Sequence, residues 1–175
     1  MLDSLHLYLM KFFHLINEGK KRLETDSIDY QVPIGFEKGA LWMAKKLKID
    51  SKIDSTDFVK IGLIKYGISL LSCTVLFFIF STSSVKFWLS AVVLFYIVEV
   101  HFLFIYPLSI ERRDPIWINS ILLTYRVGII KCFVNTIVLG IFMTVGLIKF
   151  NKPFYNWYVG CYSIIVWYEQ VRNRL

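Results

Sequence analysis

Residues 86–108 read KFWLSAVVLFYIVEVHFLFIYPL, and this stretch decides the fold class of the chain. An α-helix rises about 1.5 Å per residue, so the run is long enough to cross a hydrocarbon layer of about 30 Å. A chain of 175 residues has too small a core to bury so long an apolar helix on all sides. The sequence therefore predicts a membrane-spanning helix, which we expect to end at Pro107 because proline breaks the helical ladder.

Three more apolar runs predict membrane spans on either side of this helix. They cover about residues 61–80, 127–148 and 154–171. The last run is the shortest, and it reaches across a bilayer if residues 169–171 belong to it or if the membrane is thinner around it. The predicted fold class is all-α: a polytopic membrane protein with a bundle of four transmembrane helices, preceded by amphipathic cytoplasmic helices.

Residues 1–54 differ in character from the rest of the chain. Apolar residues recur at helical spacing over residues 1–23, and a second short, basic helix is predicted over residues 35–47. The first helix has two possible places, the headgroup region of the cytoplasmic leaflet or the surface of a neighbouring protein helix. The predicted division is a cytoplasmic or interfacial region, 1–54, and a transmembrane domain, 55–175.

The distribution of basic residues predicts the orientation in the membrane. Lysine and arginine concentrate before the first span, in the segment between the second and third spans, and after the fourth span. Only Lys86, Lys149 and Lys152 fall on the other side. Because cytoplasmic segments are enriched in basic residues, we expect both termini in the cytoplasm and the chain in the cytoplasmic (inner) membrane.

Composition and motifs narrow the possible partners and cofactors. Hydrophobic residues make up 56% of the chain, and the net charge of +7 lies mostly outside the apolar half. This charge favours contact with anionic lipid and argues against nucleic acid as a partner. The sequence contains no phosphate-binding loop, dinucleotide fingerprint, zinc-protease motif or nucleophile elbow. We predict no cofactor, no metal and no disulfide, since Cys73, Cys132 and Cys161 all lie in apolar runs.

Glu99 is the most informative position, because a carboxylate within a span costs at least about 2.5 kcal/mol and needs a partner or a proton. Asn135 in the third span falls at a similar predicted depth, and Lys131 lies one turn before it. We expect a buried polar cluster of Glu99, Asn135 and Lys131, whose role is a structural hydrogen bond, a path for a proton, ion or substrate, or catalysis with Glu99 as the candidate catalytic residue.

Helical geometry places other polar side chains around this cluster. Tyr96, Glu99 and Tyr106 share one face of the second span, whereas His101 points about 200° away from Glu99 and faces a different neighbour. Small residues in the third span, Gly128 and Gly146 among them, predict close helix approach. At the cytoplasmic side, Arg112, Arg113 and Arg126 are candidates for binding lipid headgroups, or are ordinary topological arginines.

Two functions from different classes fit these features. The first is a non-enzymatic integral membrane subunit that self-associates, as a pore in one version of this function, or docks in a larger membrane assembly. The second is a membrane-embedded enzyme or enzyme partner that acts on a lipid or lipid-linked substrate at the cytoplasmic face, with Glu99 as its general acid or base. A small transporter is the weakest interpretation, because the sequence predicts no interrupted helices. The expected partners are the lipid bilayer and further copies or other membrane subunits.

Overall fold

A computed structural model describes residues 2–25, 36–47, 55–79, 85–148 and 152–175. These residues form α-helices, which are α1 (Leu2–Glu24), α2 (Phe36–Lys46), α3 (Ser55–Ile79), α4 (Val85–His101), α5 (Ile105–Ile110), α6 (Ile116–Val127), α7 (Ile129–Gly146) and α8 (Tyr155–Val171), with a final 3-10 turn at Arg172–Arg174. The all-helical prediction is confirmed over these ranges.

Three helical segments are long and apolar enough to cross a membrane: Phe58–Ile79, Val85–Ile110 and Ile129–Gly146. They correspond to the first three predicted spans. The fourth predicted span coincides with α8, which has 17 residues and differs from the others in burial. Most of its side chains lie inside the protein, among them Tyr158, Tyr162 and Tyr168. These residues are covered by protein and leave little of α8 for lipid.

The helices divide into two compact units, which cover residues 1–35 with 126–175 and residues 36–125. In the first unit α8 packs against both α1 and α7. In the second unit α3 packs against α2, α4 and α5. Packing therefore groups α1 with the end of the chain. The predicted division at residue 54 concerns exposure to the membrane and stays a prediction.

The first helix packs on α8, which is one of the two places that its sequence allowed. Leu15 and Leu23 of α1 are buried, and Arg22 donates to Glu169 over 2.7 Å. A methyl group on Gly19 would lie only 2.6 Å from Ser163 Oγ, so the two backbones approach closely there. The side chains of residues 2–12 lie outside the described part of the structure.

The second predicted span is interrupted, contrary to the expectation of a continuous helix that ends at Pro107. Helix α4 ends at His101, turns follow over residues 102–104, and α5 continues to Ile110. Pro107 explains the position of the turns. Its ring clashes with the carbonyl four residues earlier, that of Leu103, and because proline has no N–H, this carbonyl lacks its usual helical donor. The break therefore lies one turn before the proline.

A second interruption separates α6 from α7. Gly128 stands between the two helices with φ of +109°, a conformation that side chains with a Cβ rarely adopt. Among the described residues, a Cβ at this position would meet only Lys131 Cβ, at 3.9 Å. The prediction that Gly128 serves close helix approach is thus wrong, and its role is to turn the backbone. Gly146, by contrast, does lie against Asn156 of α8.

Candidate functional site

An ion pair joins the first two candidate spans within the second unit. Lys65 Nζ of α3 lies 2.8 Å from Glu99 Oε2 of α4, and the two side chains are only 6% and 16% exposed. Lys65 is seven residues beyond the start of its span at Phe58, or about 10 Å along the helix. Glu99 lies 11 residues before the end of its span at Ile110, or about 16 Å. The partner that Glu99 requires is therefore a lysine of the neighbouring candidate span.

Aromatic rings surround the ammonium group of this pair. Lys65 Nζ lies 5.7 Å from the ring centroid of Tyr66 and 5.8 Å from that of Tyr106. Both distances are within the range in which the negative face of an aromatic ring attracts a cation. Phe58 stacks on Tyr106 with ring centroids 6.4 Å apart. The ammonium is thus held by one carboxylate oxygen and two rings.

The second oxygen of Glu99 is placed differently from the first. Glu99 Oε1 is buried and accepts no hydrogen bond from the part of the chain that the structure describes. An ionised carboxylate can accept up to about four hydrogen bonds, so this group keeps acceptor capacity that Lys65 does not use. We name the set formed by Glu99, Tyr66 and Tyr106 the ammonium seat, since Lys65 Nζ occupies it.

The break between α4 and α5 begins beside the ammonium seat, and hydroxyl groups of α6 satisfy its carbonyls. Thr124 Oγ1 donates to the carbonyl oxygen of Val100 over 3.0 Å, and Ser120 Oγ donates to that of His101 over 2.9 Å. Both hydroxyl side chains are fully buried. Because a membrane offers no water to free backbone groups, an interrupted span persists only where the protein supplies such donors.

His101 and Glu99 contact different helices, as their angular separation on α4 predicts. The Nδ1 atom of His101 lies 2.7 Å from the carbonyl oxygen of Ile97, so Nδ1 carries a proton and donates to that carbonyl. Its Nε2 lies 3.4 Å from the hydroxyl oxygen of Tyr125, on α6. His101 and Glu99 therefore do not act together on one chemical group.

The remaining members of the predicted polar cluster are distributed between the two units. Tyr106 lies at the ammonium seat. The ring of Tyr96 lies against that of Phe95 on the same helix, with ring centroids 5.6 Å apart. Asn135 and Lys131 belong to α7 in the other unit, where Asn135 is buried. The predicted hydrogen bond between Asn135 and Glu99 stays a prediction.

The candidate headgroup arginines lie near chain carbonyls and a carboxylate. Arg113 Nε is 2.7 Å from Glu111 Oε2, and Arg126 donates to the backbone carbonyl of Leu175 over 2.8 Å. Arg112 has φ of +53°, the left-handed conformation that ends α5. There the amides of Arg112 and Arg113 donate to the carbonyls of Ser109 and Leu108, the bonding pattern of a Schellman motif. Binding of headgroups by these arginines stays a prediction.

Lys65 and the two hydroxyl groups were not among the residues that the sequence predicted for the site. A first span that starts at about residue 61 puts Lys65 close to its start, whereas α3 begins at Ser55 and its apolar part at Phe58. One feature of the sequence could have identified Lys65 as the partner of Glu99. Consecutive spans contain one cation and one anion, and each charge is costly in a membrane without the other.

No cluster of three or more His, Cys, Asp or Glu side chains suited to a metal ion occurs within the described ranges.

The comparison with known proteins gives no relative from which a function could be inferred. No family model matches the chain, and neither a curated protein nor a solved structure is detectably similar to it.

Proposed function

We propose that the chain is a non-enzymatic integral membrane subunit that self-associates or docks in a larger membrane assembly. In this proposal its transmembrane domain is a bundle of four helices, with α8 as the fourth. Both termini face the cytoplasm, since the basic residues concentrate on that side. A pore formed by several copies is one version of such an assembly.

The exposed apolar surface of the candidate spans is the observation that carries this proposal. Large hydrophobic side chains stay exposed along α3, α4 and α7, including Leu70 at 70%, Trp88 at 63% and Ile130 at 78%. Large apolar side chains that are this exposed contact lipid or other apolar helices, because water would not tolerate them. A small protein with this much membrane-exposed surface relative to its core is suited to assembly.

The ion pair between Lys65 and Glu99 supports a non-catalytic role for the candidate catalytic carboxylate. A general base must reach the proton that it abstracts, and here one oxygen of Glu99 is engaged by an ammonium at 2.8 Å. Pairing also neutralises the charge that makes a lone carboxylate in a membrane a functional candidate. A structural function of Glu99, which joins α3 to α4, accounts for this arrangement without a substrate.

Native mass spectrometry tests the proposal directly. The protein is extracted gently from the membrane in which it is expressed, and the masses of intact particles are measured. We expect a homo-oligomer, or a hetero-complex of fixed stoichiometry. A monomer that carries one specific lipid-like molecule would instead overturn the assembly proposal and favour the enzyme.

The unused oxygen of Glu99 is the observation that favours the second candidate, a membrane-embedded enzyme or enzyme partner acting on a lipid or lipid-linked substrate. Glu99 Oε1 is buried and has no donor among the described residues, so a substrate hydroxyl that entered the site would find an acceptor. In an enzyme, Glu99→Gln would abolish turnover while the helices stay folded. Turnover that survives this substitution would exclude Glu99 as the catalytic residue.

A further inference from the structure

The ammonium seat is already a cation-binding site, and its present occupant belongs to the chain itself. Lys65 is a primary ammonium on an alkyl stem, and its Nζ lies 2.8 Å from Glu99 Oε2 and within 5.8 Å of two tyrosine rings. A carboxylate together with aromatic faces is the set of groups by which proteins recognise organic ammonium ions. An amine ligand and the side chain of Lys65 therefore present the same chemistry.

We propose that the ammonium seat is a binding site for a small organic ammonium ion, for which Lys65 is the built-in competitor. The ligand replaces the ammonium group of Lys65 between Glu99 and the tyrosine rings. The spare acceptor capacity of Glu99 Oε1 takes a further N–H of the ligand. This inference goes beyond the proposed function and does not depend on how many copies assemble.

The groups of the seat favour an organic ammonium over a hard metal ion. Calcium takes six to eight oxygen ligands, and magnesium demands six in near-octahedral geometry. The seat provides one carboxylate and two aromatic faces, with Phe58 stacked behind the ring of Tyr106. An alkylammonium satisfies both features at once, since its charged end pairs with the carboxylate and its carbon atoms contact the rings.

The location of Lys65 allows its side chain to leave the seat. Lysine stems reach along apolar surface while the charged end moves to the membrane boundary. Lys65 lies about two turns from the start of its span at Phe58, so such a movement is directed toward the nearer boundary. The ligand then supplies the positive charge that Glu99 loses when Lys65 withdraws, and the buried site stays neutral.

Removal of the competitor gives the first test, with the full-length protein in lipid nanodiscs and n-butylammonium as the probe. We expect Lys65→Ala to bind this probe saturably in isothermal titration calorimetry, because the truncated stem leaves space for the alkyl chain beside Glu99. The double variant Lys65→Ala/Glu99→Gln should lose at least tenfold in affinity. Lys60→Ala, which removes an exposed lysine of the same helix, should behave as the wild type.

The wild-type protein gives the decisive test, since it needs no variant to fold. We expect saturable binding of n-butylammonium that is at least tenfold weaker than in Lys65→Ala and is lost in Glu99→Gln. Absence of saturable binding to the wild type would overturn the proposed site. Equal affinities of wild type and Lys65→Ala would overturn the role of Lys65 as competitor. Either failure leaves the subunit proposal untouched, because that is decided by particle mass.

Discussion

The two compact units of this protein hold their helices together by different means. In the unit formed by residues 36–125, polar groups join the helices: an ion pair between α3 and α4, and hydroxyl groups of α6 that donate to carbonyls at the end of α4. The unit that contains α1, α7 and α8 also has a polar contact between helices, the ion pair of Arg22 and Glu169, but here glycines in addition let the helices approach closely. Gly19 lies against Ser163, and Gly146 against Asn156.

Both solutions suit helices in lipid, where burial of apolar surface contributes little to association. Between such helices the stabilising contributions are close packing of small residues and interhelical hydrogen bonds or ion pairs. The two units therefore differ in what a substitution should cost. Loss of a charge partner should harm the polar unit most, and an added methyl group should harm the unit that packs at glycines.

The largest effect is expected from Glu99→Leu, because it removes the carboxylate that joins Lys65 of α3 to α4. Removal of one partner from a buried ion pair typically costs about 3–5 kcal/mol. We expect a loss of that size in the free energy of unfolding, measured by circular dichroism during titration with a denaturing detergent. The double variant Lys65→Met/Glu99→Leu removes both charges and should recover most of the loss. A double variant as unstable as the single one would mean that the pair does not join the helices.

The next largest effect is expected at Gly19, where α1 lies close to α8. Gly19→Ala should lower the free energy of unfolding by about 1–3 kcal/mol, the usual cost of overpacking. The added methyl group would lie 2.6 Å from Ser163 Oγ and 2.8 Å from the carbonyl oxygen of Val159. Gly67→Ala is the matched control, since a Cβ there meets nothing within 4 Å.

The control should stabilise α3 by up to about 1 kcal/mol, because alanine favours the helix over glycine. The difference between the two alanine variants, measured in the same detergent titration, then isolates the helix contact. Equal responses of Gly19 and Gly67 would show that α1 does not depend on a close approach to α8.

The hydroxyl groups at the helix break should have a smaller effect than the ion pair. Thr124→Val removes the shorter of two hydrogen bonds to the carbonyl of Val100, which also accepts from the amide of Leu103 over 3.4 Å. Loss of one such bond costs about 0.5–1.5 kcal/mol. Thr74→Val is the control, because Thr74 donates to the carbonyl of Leu70 within its own helix and is exposed. Thermal unfolding followed by tryptophan fluorescence should separate the two variants. Equal midpoints would contradict a stabilising role of the hydroxyl groups at the break.

The sequence was sufficient to predict the positions of the first three spans and the need of Glu99 for a partner. These follow from the length of apolar runs and from the cost of a lone charge in lipid. It was insufficient to identify Lys65, because the rotation of one helix about its axis relative to another is set by packing of many side chains. An error of a few residues in the start of α3 was enough to place Lys65 near the surface.

The interruptions of the helices escaped prediction for a related reason. The residues at the first break, Phe102, Leu103 and Phe104, carry no turn signal of their own. The cause lies at Pro107, and its effect appears four residues earlier, where the ring would meet a carbonyl. Since interrupted helices line the binding sites of many transporters, the argument that weakened a transporter function no longer applies.

The backbone conformation of Arg112, at the end of α5, should be strained. A residue other than glycine in the left-handed conformation costs roughly 1 kcal/mol, and Arg112 has φ of +53° at the position where helices usually place glycine. We expect Arg112→Gly to be more stable than Arg112→Ala by about that amount in thermal unfolding. Both variants lose the side chain, so their difference reports the backbone alone. If the alanine variant were equally stable, the conformation would carry no strain.

The smallest effect is expected from the exposed pair on α1, where Lys21 Nζ donates to Glu18 Oε1 over 2.8 Å. This hydrogen bond, with the attraction of the lysine charge, lowers the pKa of Glu18 below its ordinary value of 4.5 and raises that of Lys21. A lowered carboxyl pKa stabilises the folded protein above the ordinary value, and the contribution disappears as the pH falls through the lowered one.

The titration of this exposed pair should respond to salt, unlike the ion pair between Lys65 and Glu99. The titration of Glu18, followed by the NMR shift of its side-chain carbon, should move toward the ordinary value in Lys21→Gln. It should also move toward that value in about 1 M salt, where the Debye length falls to about 3 Å. The effect of Glu99→Leu on unfolding should not change with salt, because ions do not reach Lys65 and Glu99. If salt weakened both effects alike, the pair of Lys65 and Glu99 would be accessible to water, and the membrane depth assigned to α3 and α4 would be wrong.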